Sequence, residues 1–571
     1  MVDNARQVQL SVQNGQTRRR FIQAAGVAGV VTVTGCVGGD DEDTAPEEGV
    51  AEDPDGEEVP TVAYENLDPD SPLRYWYGEE HAGYMEELGL EVDYNSRALD
   101  AHLERVFDTR DFDCAPMRYL DGYDPDALLR AFSQAALGEG GDNTSGHDSE
   151  EYEEWMAEQR EAVDEDDRQE IVHEMYEYLM EEQVISPIAV QDRAMPYNED
   201  RVSNVQEVLE DGLASIWNMV NLELDGGAEG DDMLTIASHE ELPTLNPVTG
   251  LEARSSRDMI RLIYDRLMHP DPDNDYMPSS WAAEEFGWAD DTTYEITLRE
   301  GMEWHDGEPV TAEDVAFTFE YSDENSPDFQ AVATNFESAE AETDLDVTFE
   351  LSQPDATWES EVLAGAEAHL IPQHVWEGED PSEIDIDEDL IGSGPFQFEA
   401  FEPGEEVRLS RHDGHHHEPN VEELIRLESA DASSSASLVT TGEVDLVNFD
   451  LPADQLVDLE DEDGIALQNA NMTSLHYITW NQRREPFANI DLRQACAHTI
   501  PRDDIVDVGA DGFAEVTHAP VAPDLEFWYT EDVPTFEFDI EAGQQVLLDA
   551  GFEWHADTGR LHYPADYDPV D

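Results

Sequence analysis

Three stretches of the chain bring together the groups that hold a small polar solute: aromatic faces, one or two charges and an apolar lining. Tyr119-Leu120-Asp121-Gly122-Tyr123 sets a carboxylate between two tyrosines. His476-Tyr477 places an imidazole and a phenol inside an apolar run, and Asn246-Pro247 forms a turn after a strand-like segment. A fourth string, His415-His416-His417-Glu418, invites a metal reading. Adjacent histidines on an extended segment point in different directions, whereas a bound metal needs converging ligands, so no metal site is expected there. Nothing points to catalysis or to a cofactor. G-x-S-x-G, H-E-x-x-H and a phosphate-binding loop are all absent from the sequence. Carboxylate pairs occur everywhere and so single out no acid–base couple.

That abundance of acid sets the class. The 571 residues include 138 Asp and Glu against 27 basic residues, all of them Arg, for a net charge of −111. No basic patch can form for nucleic acid, and an anionic lipid surface would repel the chain. A hydrophobic fraction of 39 % is enough for a real core. At about molar salt the Debye length falls to ~3 Å and surface carboxylates stop repelling one another. In dilute buffer the same charge works against the compact state. The composition is that of an extreme halophile. Cys36, Cys114 and Cys496 cannot make a disulfide framework. Cys114 and Cys496 read as buried thiols.

Several elements must position these groups. Near the N-terminus, Arg18-Arg19-Arg20-Phe21-Ile22 precedes an apolar run from Ala24 to Gly35. The run is too short to span a bilayer and reads as an export signal. Its twin arginines resemble the twin-arginine signal that exports folded proteins. Val33-Thr34-Gly35-Cys36 resembles a lipobox, which makes Cys36 the lipid attachment point and residues 1–35 a removable signal. Residues 36–70 read as a solvated acidic tether. A Gly-rich link at 226–231 divides the rest into 71–225 and 232–571. In the first block, apolar spacing predicts a helix over Asp166 to Glu182, followed by a strand at Ile185 to Val190. In the second, alternation at Tyr294, Ile296 and Leu298 and at Val347, Phe349 and Leu351 predicts strands. Thr311-Ala-Glu-Asp314 predicts a capped helix start between them. Strands and helices interleave, so the class is α/β (α+β mixed).

The stretch Leu298-Arg299 through Trp304-His305-Asp306-Gly307 to Thr311-Ala312-Glu-Asp314-Val315 resembles the signature of family 5 extracellular solute-binding proteins. Gly392-Ser393-Gly394-Pro395-Phe396, Thr441-Gly442-Glu443-Val444-Asp445, Pro486-Phe487 with Arg493-Gln494-Ala495, and Leu547-Leu-Asp-Ala-Gly551-Phe552 resemble later family motifs, in the family's order. Leu88-Gly89, Asp111-Phe112-Asp113, Asp124-Pro125-Asp126, Arg168 and Pro187-Ile188 resemble the family's final third, yet they come first here. The resemblance therefore implies a two-lobed periplasmic-binding-protein type II fold with an extra subdomain, circularly permuted and of haloarchaeal type. It also implies a lipid-anchored extracellular binding component of an ABC importer. Such a protein is a monomer that takes a peptide, sugar or metal complex between its lobes. It delivers the solute to a permease driven by a separate cytoplasmic ATPase, and touches the membrane only through its lipid. By position, Asp121 would hold a solute ammonium. Tyr119 and Tyr123 beside it, and His476, Tyr477 and Asn246, would line the cleft. Met117-Arg118 stand where the family often has Gly-Trp, which leaves the ligand class open. Asn143 and Asn471 open glycosylation sequons. A secreted hydrolase or a surface interaction protein on the same fold is the alternative, and no nucleophile–base pair supports it.

Overall fold

A computed structural model describes residues 48–570, apart from 70, 120–121, 139, 226–231, 252 and 385–389. The export signal, Cys36, Asp121 and the Gly-rich link lie outside the described residues. The architecture is built on two long strands, Ile185–Asn198 and Ile465–Trp480, one from each block. They run antiparallel, from Ile465 opposite Asn198 to Thr479 opposite Ile185. At about 3.3 Å per residue each spans ~45 Å or more. Among the described residues they form the middle of an eleven-stranded sheet. Beyond Ile185–Asn198 lie, in order, Leu446–Val447, Met233–Ser238, Glu423–Glu428, Glu406–Arg411 and Phe396–Glu402. Beyond Ile465–Trp480 lie Cys114–Tyr119, Val62–Leu67 and Val92–Arg97. The short strand Ala514–Val516 also joins Ile185–Asn198.

Helices cover this sheet. Glu165–Glu181 buries Val172, Met175 and Leu179 of the stripe its spacing predicts, with Tyr176 and Met180 beside them, while Ile171 and Tyr178 are half-buried. Pro72–Glu86 starts on a proline in its first turn, buries Tyr77, His81 and Met85, and precedes the Leu88–Leu90 turn into Val92–Arg97. All four cores mix residues of both blocks. One packs Phe112, Leu128 and Val172 with Leu475, Tyr477 and Trp528. Another packs Tyr64, Tyr77 and Leu90 with Trp480, Leu547 and Trp554. Ala45–Asp571 forms one compact unit, so the two blocks complete a single structure.

A four-stranded antiparallel sheet lies apart, in the order Ala283–Asp290, Thr293–Leu298, Asp346–Leu351, Phe336–Ala341. The helix Ala312–Asn325 packs on it, opened by the expected capping box: Asp314 Oδ2 accepts the Thr311 N–H at 2.9 Å. The loop at Gly392-Ser-Gly394 packs backbone against backbone. Gly394 N donates to Ile263 O at 2.9 Å and His305 N to Gly392 O at 2.8 Å.

Two expectations are corrected. The acidic tether does not reach residue 70. Val50–Ala51 pairs in parallel with Glu553–His555, and Val62–Leu67 is a buried strand of the large sheet. The acid inside that strand concealed it. Glu65 is fully buried and is neutralised by Arg97 Nε at 2.6 Å and Arg105 Nη2 at 3.4 Å. The strand expected to end at Val190 runs on to Asn198. Pro187 and Pro196 interrupt its pattern, and the matching length of Ile465–Trp480 carries it through; the ladder slips next to Pro187, which has no N–H to give.

A Cβ on Gly392 would lie 1.9 Å from Ile263 O, a backbone atom that cannot move aside. Gly392→Ala should therefore cost about 1–3 kcal/mol through forced overpacking. Thermal melts in molar salt check this as a lowered Tm with unchanged secondary structure.

Candidate functional site

One cleft of about 750 Å³ opens between the two blocks. Its wall includes Arg118, Tyr123, Arg193 and Trp217 from the first block and Arg254, Arg261, Phe449 and Trp528 from the second. The ladder sets the floor. Between Asn471 and Leu475 the pairing with Ile185–Asn198 slips, and the backbone there turns from the ladder toward side chains. The Thr473 N–H donates to Glu210 Oε2 at 3.2 Å, and Ser474 Oγ receives Arg118 Nε at 3.2 Å.

Aromatic rings and guanidinium groups dominate the lining. Tyr123 stacks on Tyr276 with centroids 4.9 Å apart, and its hydroxyl donates to Leu209 O at 2.9 Å. Arg168 lies over the Trp528 ring at 5.0 Å. Eight of the chain's 27 arginines line this one cleft, beside nine acids. Arg168, Arg193 and Arg261 are in tight pairs. Arg168 grips Asp124 with two bonds of 2.7 and 2.6 Å. Burial pushes the Asp124 carboxyl up, but the Arg168 charge and hydrogen bonds outweigh it and hold the group below its ordinary range. Arg193 grips Asp450 at 2.8 and 3.3 Å and Glu210 at 3.1 Å. Arg261 bridges Asp211 at 2.5 Å and Asp258 at 2.7 Å. Arg266 is buried against His369 Nε2 and Ala364 O, at 3.2 and 3.0 Å. Burial and neighbouring Arg261 lower its pKa to about 9. At one side Glu361 faces Asp126 and Asp124. Burial, then those two charges, push its carboxyl up to about 8, so it is mostly protonated at neutral pH. The walls also touch directly: Ser360 Oγ donates to Asp124 Oδ2 at 2.6 Å, and Ala356 N to Arg160 O at 2.7 Å.

Of the residues named from sequence, Tyr123 lines the cleft. Asp121 lies outside the described residues. Tyr119 turns its hydroxyl to Ala127 O at 2.7 Å and is not in the cleft wall. His476 and Tyr477 are buried in the sheet interior, 3 % and 4 % exposed. They alternate to opposite faces of Ile465–Trp480, and both faces are covered. His476 meets Tyr77 at 3.4 Å, and Tyr477 packs edge-on against Phe132. Burial and the nearby Arg118 drive the His476 pKa well down. Asn246 builds its own turn. Its Oδ1 accepts the Val248 and Thr249 N–H groups at 3.0 Å, and its Nδ2 donates to Pro381 O at 2.7 Å. The histidine string converges more than expected: ligand atoms of Asp265, His415 and His416 lie within 4.8 Å of one another. Both His415 nitrogens are already engaged, however, Nε2 with Asp265 Oδ1 at 3.0 Å and Nδ1 with the His417 N–H at 3.0 Å. Sequence reasoning missed Arg193, Arg254, Arg261, Glu210 and Asp450. Their signal was scarcity: arginine is the chain's sole strong cation.

Residues 278–569 match the bacterial extracellular solute-binding proteins, family 5 Middle. The oligopeptide-binding protein AppA of Bacillus subtilis is 26 % identical over 273 residues, 46 % of this chain and 49 % of that protein. The dipeptide-binding protein of Escherichia coli is 23 % identical over 300 residues, 48 % of this chain and 55 % of that protein. The chain thus spans about half the length of these curated relatives. Among solved structures, an oligopeptide ABC transporter periplasmic oligopeptide-binding protein from Thermotoga maritima aligns with a TM-score of 0.48 at 23 % identity, over 60 % of this chain and 67 % of that one.

Glu361 yields a pH prediction. Its pKa is near 4.5 in an unfolded chain and about 8 in the fold, so the folded state binds the extra proton between those values. Its contribution to stability is full at low pH and is lost as pH rises toward 8. Glu361→Gln should remove that loss, so wild type and variant should diverge in Tm as pH rises from 4.5 to about 8, with the variant the less pH-sensitive.

Proposed function

The chain belongs to the family 5 extracellular solute-binding proteins, and on that premise we propose that it is the exported binding component of an ABC importer for a peptide-like solute. The observation that carries the reading is the composite cleft. Both blocks contribute walls to one enclosed space lined by aromatic rings and hydrogen-bonding charges, which is how a solute is captured without chemistry being done on it. Contacts across the cleft support capture by closure. Ser360 against Asp124 and Tyr123 against Tyr276 are bonds that a domain hinge can make and break. The relatives named for oligopeptide and dipeptide binding favour a peptide over a sugar or a metal complex.

In this proposal the segment order is a circular permutation of the family's. Residues 71–225 play the part of its C-terminal third and 232–571 that of its first two-thirds, joined through 226–231. The bridge between Glu58 and His562 supports the reading at the proposed break rather than at the joint, since it sets residues 58 and 562 side by side where the reordered segments part. The twin-arginine signal would export the folded chain, and Cys36 would anchor it to the outer face of the membrane in a halophilic archaeon. Delivery is to a permease with its own cytoplasmic ATPase.

Trp217, Trp288 and Trp528 line the cleft, so solute binding should change intrinsic fluorescence. In molar salt a peptide present at 100 times its Kd should add about 2.7 kcal/mol to stability, read as a higher Tm. A di- and tripeptide panel that leaves both readouts flat, against a sugar that moves them, removes the peptide assignment. Cys36→Ser should send the protein from the membrane fraction to the medium; a variant that stays membrane-bound contradicts the anchor.

A further inference from the structure

Asp265 follows the helix Arg254–Ile263 and is completely buried. Its Oδ1 accepts the Trp281 Nε1–H at 2.7 Å and meets His415 Nε2 at 3.0 Å. Among the described residues its Oδ2 has no hydrogen-bond partner, and neither has the buried Nε2 of His416. A carboxylate oxygen shut away from water without a donor is costly. The three side chains converge because the histidine string is not extended. His416 and His417 lie in a turn just after Gly414, whose φ of +89° favours glycine. His412 N donates to Pro395 O at 2.9 Å and His415 N to His412 O at 3.3 Å, which fixes the loop. The rings of His415 and His416 therefore lie side by side, with centroids 4.0 Å apart. One ligand atom from each of Asp265, His415 and His416 lies within 4.8 Å of the others.

We infer that Asp265, His415 and His416 bind one divalent transition-metal ion of the zinc type, a structural ion distinct from any solute. Two imidazoles and a carboxylate are the donors of such a site, with a further position left to water. Bonds of ~2.0–2.2 Å set neighbouring ligand atoms about 3 to 3.5 Å apart. Asp265 and His415 already stand at that spacing, and half-buried His416 closes the remaining gap. His415 Nε2 takes the ion once its proton passes to Nδ1, which then releases the His417 N–H it accepts at 3.0 Å. No proton is lost overall, and the turn at His416-His417 is re-set. His417 stacks on Trp281 with centroids 4.2 Å apart, so the change reaches that indole. The site lies behind the cleft, not in it. None of the three residues lines the cleft, but Trp217 does, and it stands edge-on to Trp281 at 5.4 Å. The ion would brace that wall from outside, whatever solute the cleft holds. The donor set also selects the metal. Surface carboxylates in brine are bathed in alkali and magnesium ions, which prefer oxygen, whereas imidazole suits zinc, nickel and copper.

The test uses the full-length protein, stripped with EDTA and titrated with zinc chloride. The buffer is molar potassium chloride with excess magnesium chloride, which occupies the surface carboxylates. Tryptophan fluorescence, Tm and metal analysis after gel filtration are the readouts. One equivalent of zinc should stay bound, change the emission and raise Tm. His416→Ala should weaken binding by about ten-fold or more, since even a residue that only orients a ligand is worth that much. His562→Ala, in the strand paired with Glu553–His555, should leave binding unchanged. Zinc that magnesium displaces overturns the inference, and so does zinc held equally well by His416→Ala. If that variant does not fold, cobalt(II) in the wild type decides. The intense visible bands of a tetrahedral nitrogen-and-oxygen site support the inference, and the pale spectrum of the hydrated ion overturns it.

Discussion

The structure depends on one ladder, Ile185–Asn198 against Ile465–Trp480. Each block supplies one strand, so neither can complete the central sheet without the other. The cleft floor is hung from this pair. Arg193 sits in the first strand, and Met472 and Ser474 in the slipped part of the second. Arg118 sits in the neighbouring strand, where it reaches Ser474. The register slip is a local loss of ladder bonds in exchange for side-chain contacts, which is the usual use of a bulge beside a site. Moving it by one residue would turn the floor's side chains to the other face.

Much of the scaffold was legible in the sequence. Helix Glu165–Glu181, the alternating strands around Tyr294 and Val347, and the Thr311 cap follow from periodicity and capping chemistry alone. Val62–Leu67 was not legible, because a buried Glu65 breaks the apolar pattern and its neutralising partners, Arg97 and Arg105, lie far along the chain. His476, Tyr477 and Asn246 were plausible as cleft groups from residue type. Type cannot tell an exposed wall from a strand covered on both faces, or from a turn that consumes its own amide. Tyr123 does line the cleft, its ring stacked on Tyr276 of the other wall.

The wider lesson concerns which residue type carries information in a chain of this composition. A carboxylate here serves first as a ligand for water and salt, and its position says little. Arginine is scarce, costly to bury and always charged, so its location is the stronger pointer. Its gathering in one cleft is therefore more telling than any acidic motif. The pairs Arg168–Asp124 and Arg261–Asp211 shape the walls.

The contacts of Val50–Ala51 with Glu553–His555, and of Val59 with Leu561 and Arg560, close segments about 500 residues apart. Their consequence is kinetic. A chain emerging from the ribosome carries Val62–Leu67 and its neighbours long before Ile465–Trp480 exists to receive the sheet, and the Val50 strand finds its partner only after about 500 further residues have been made. Non-local pairing of this kind folds slowly and leaves strand edges open for the whole interval. The dense acid on those early segments then does a second job: like charge on waiting edges discourages chain-to-chain pairing until the last strand arrives.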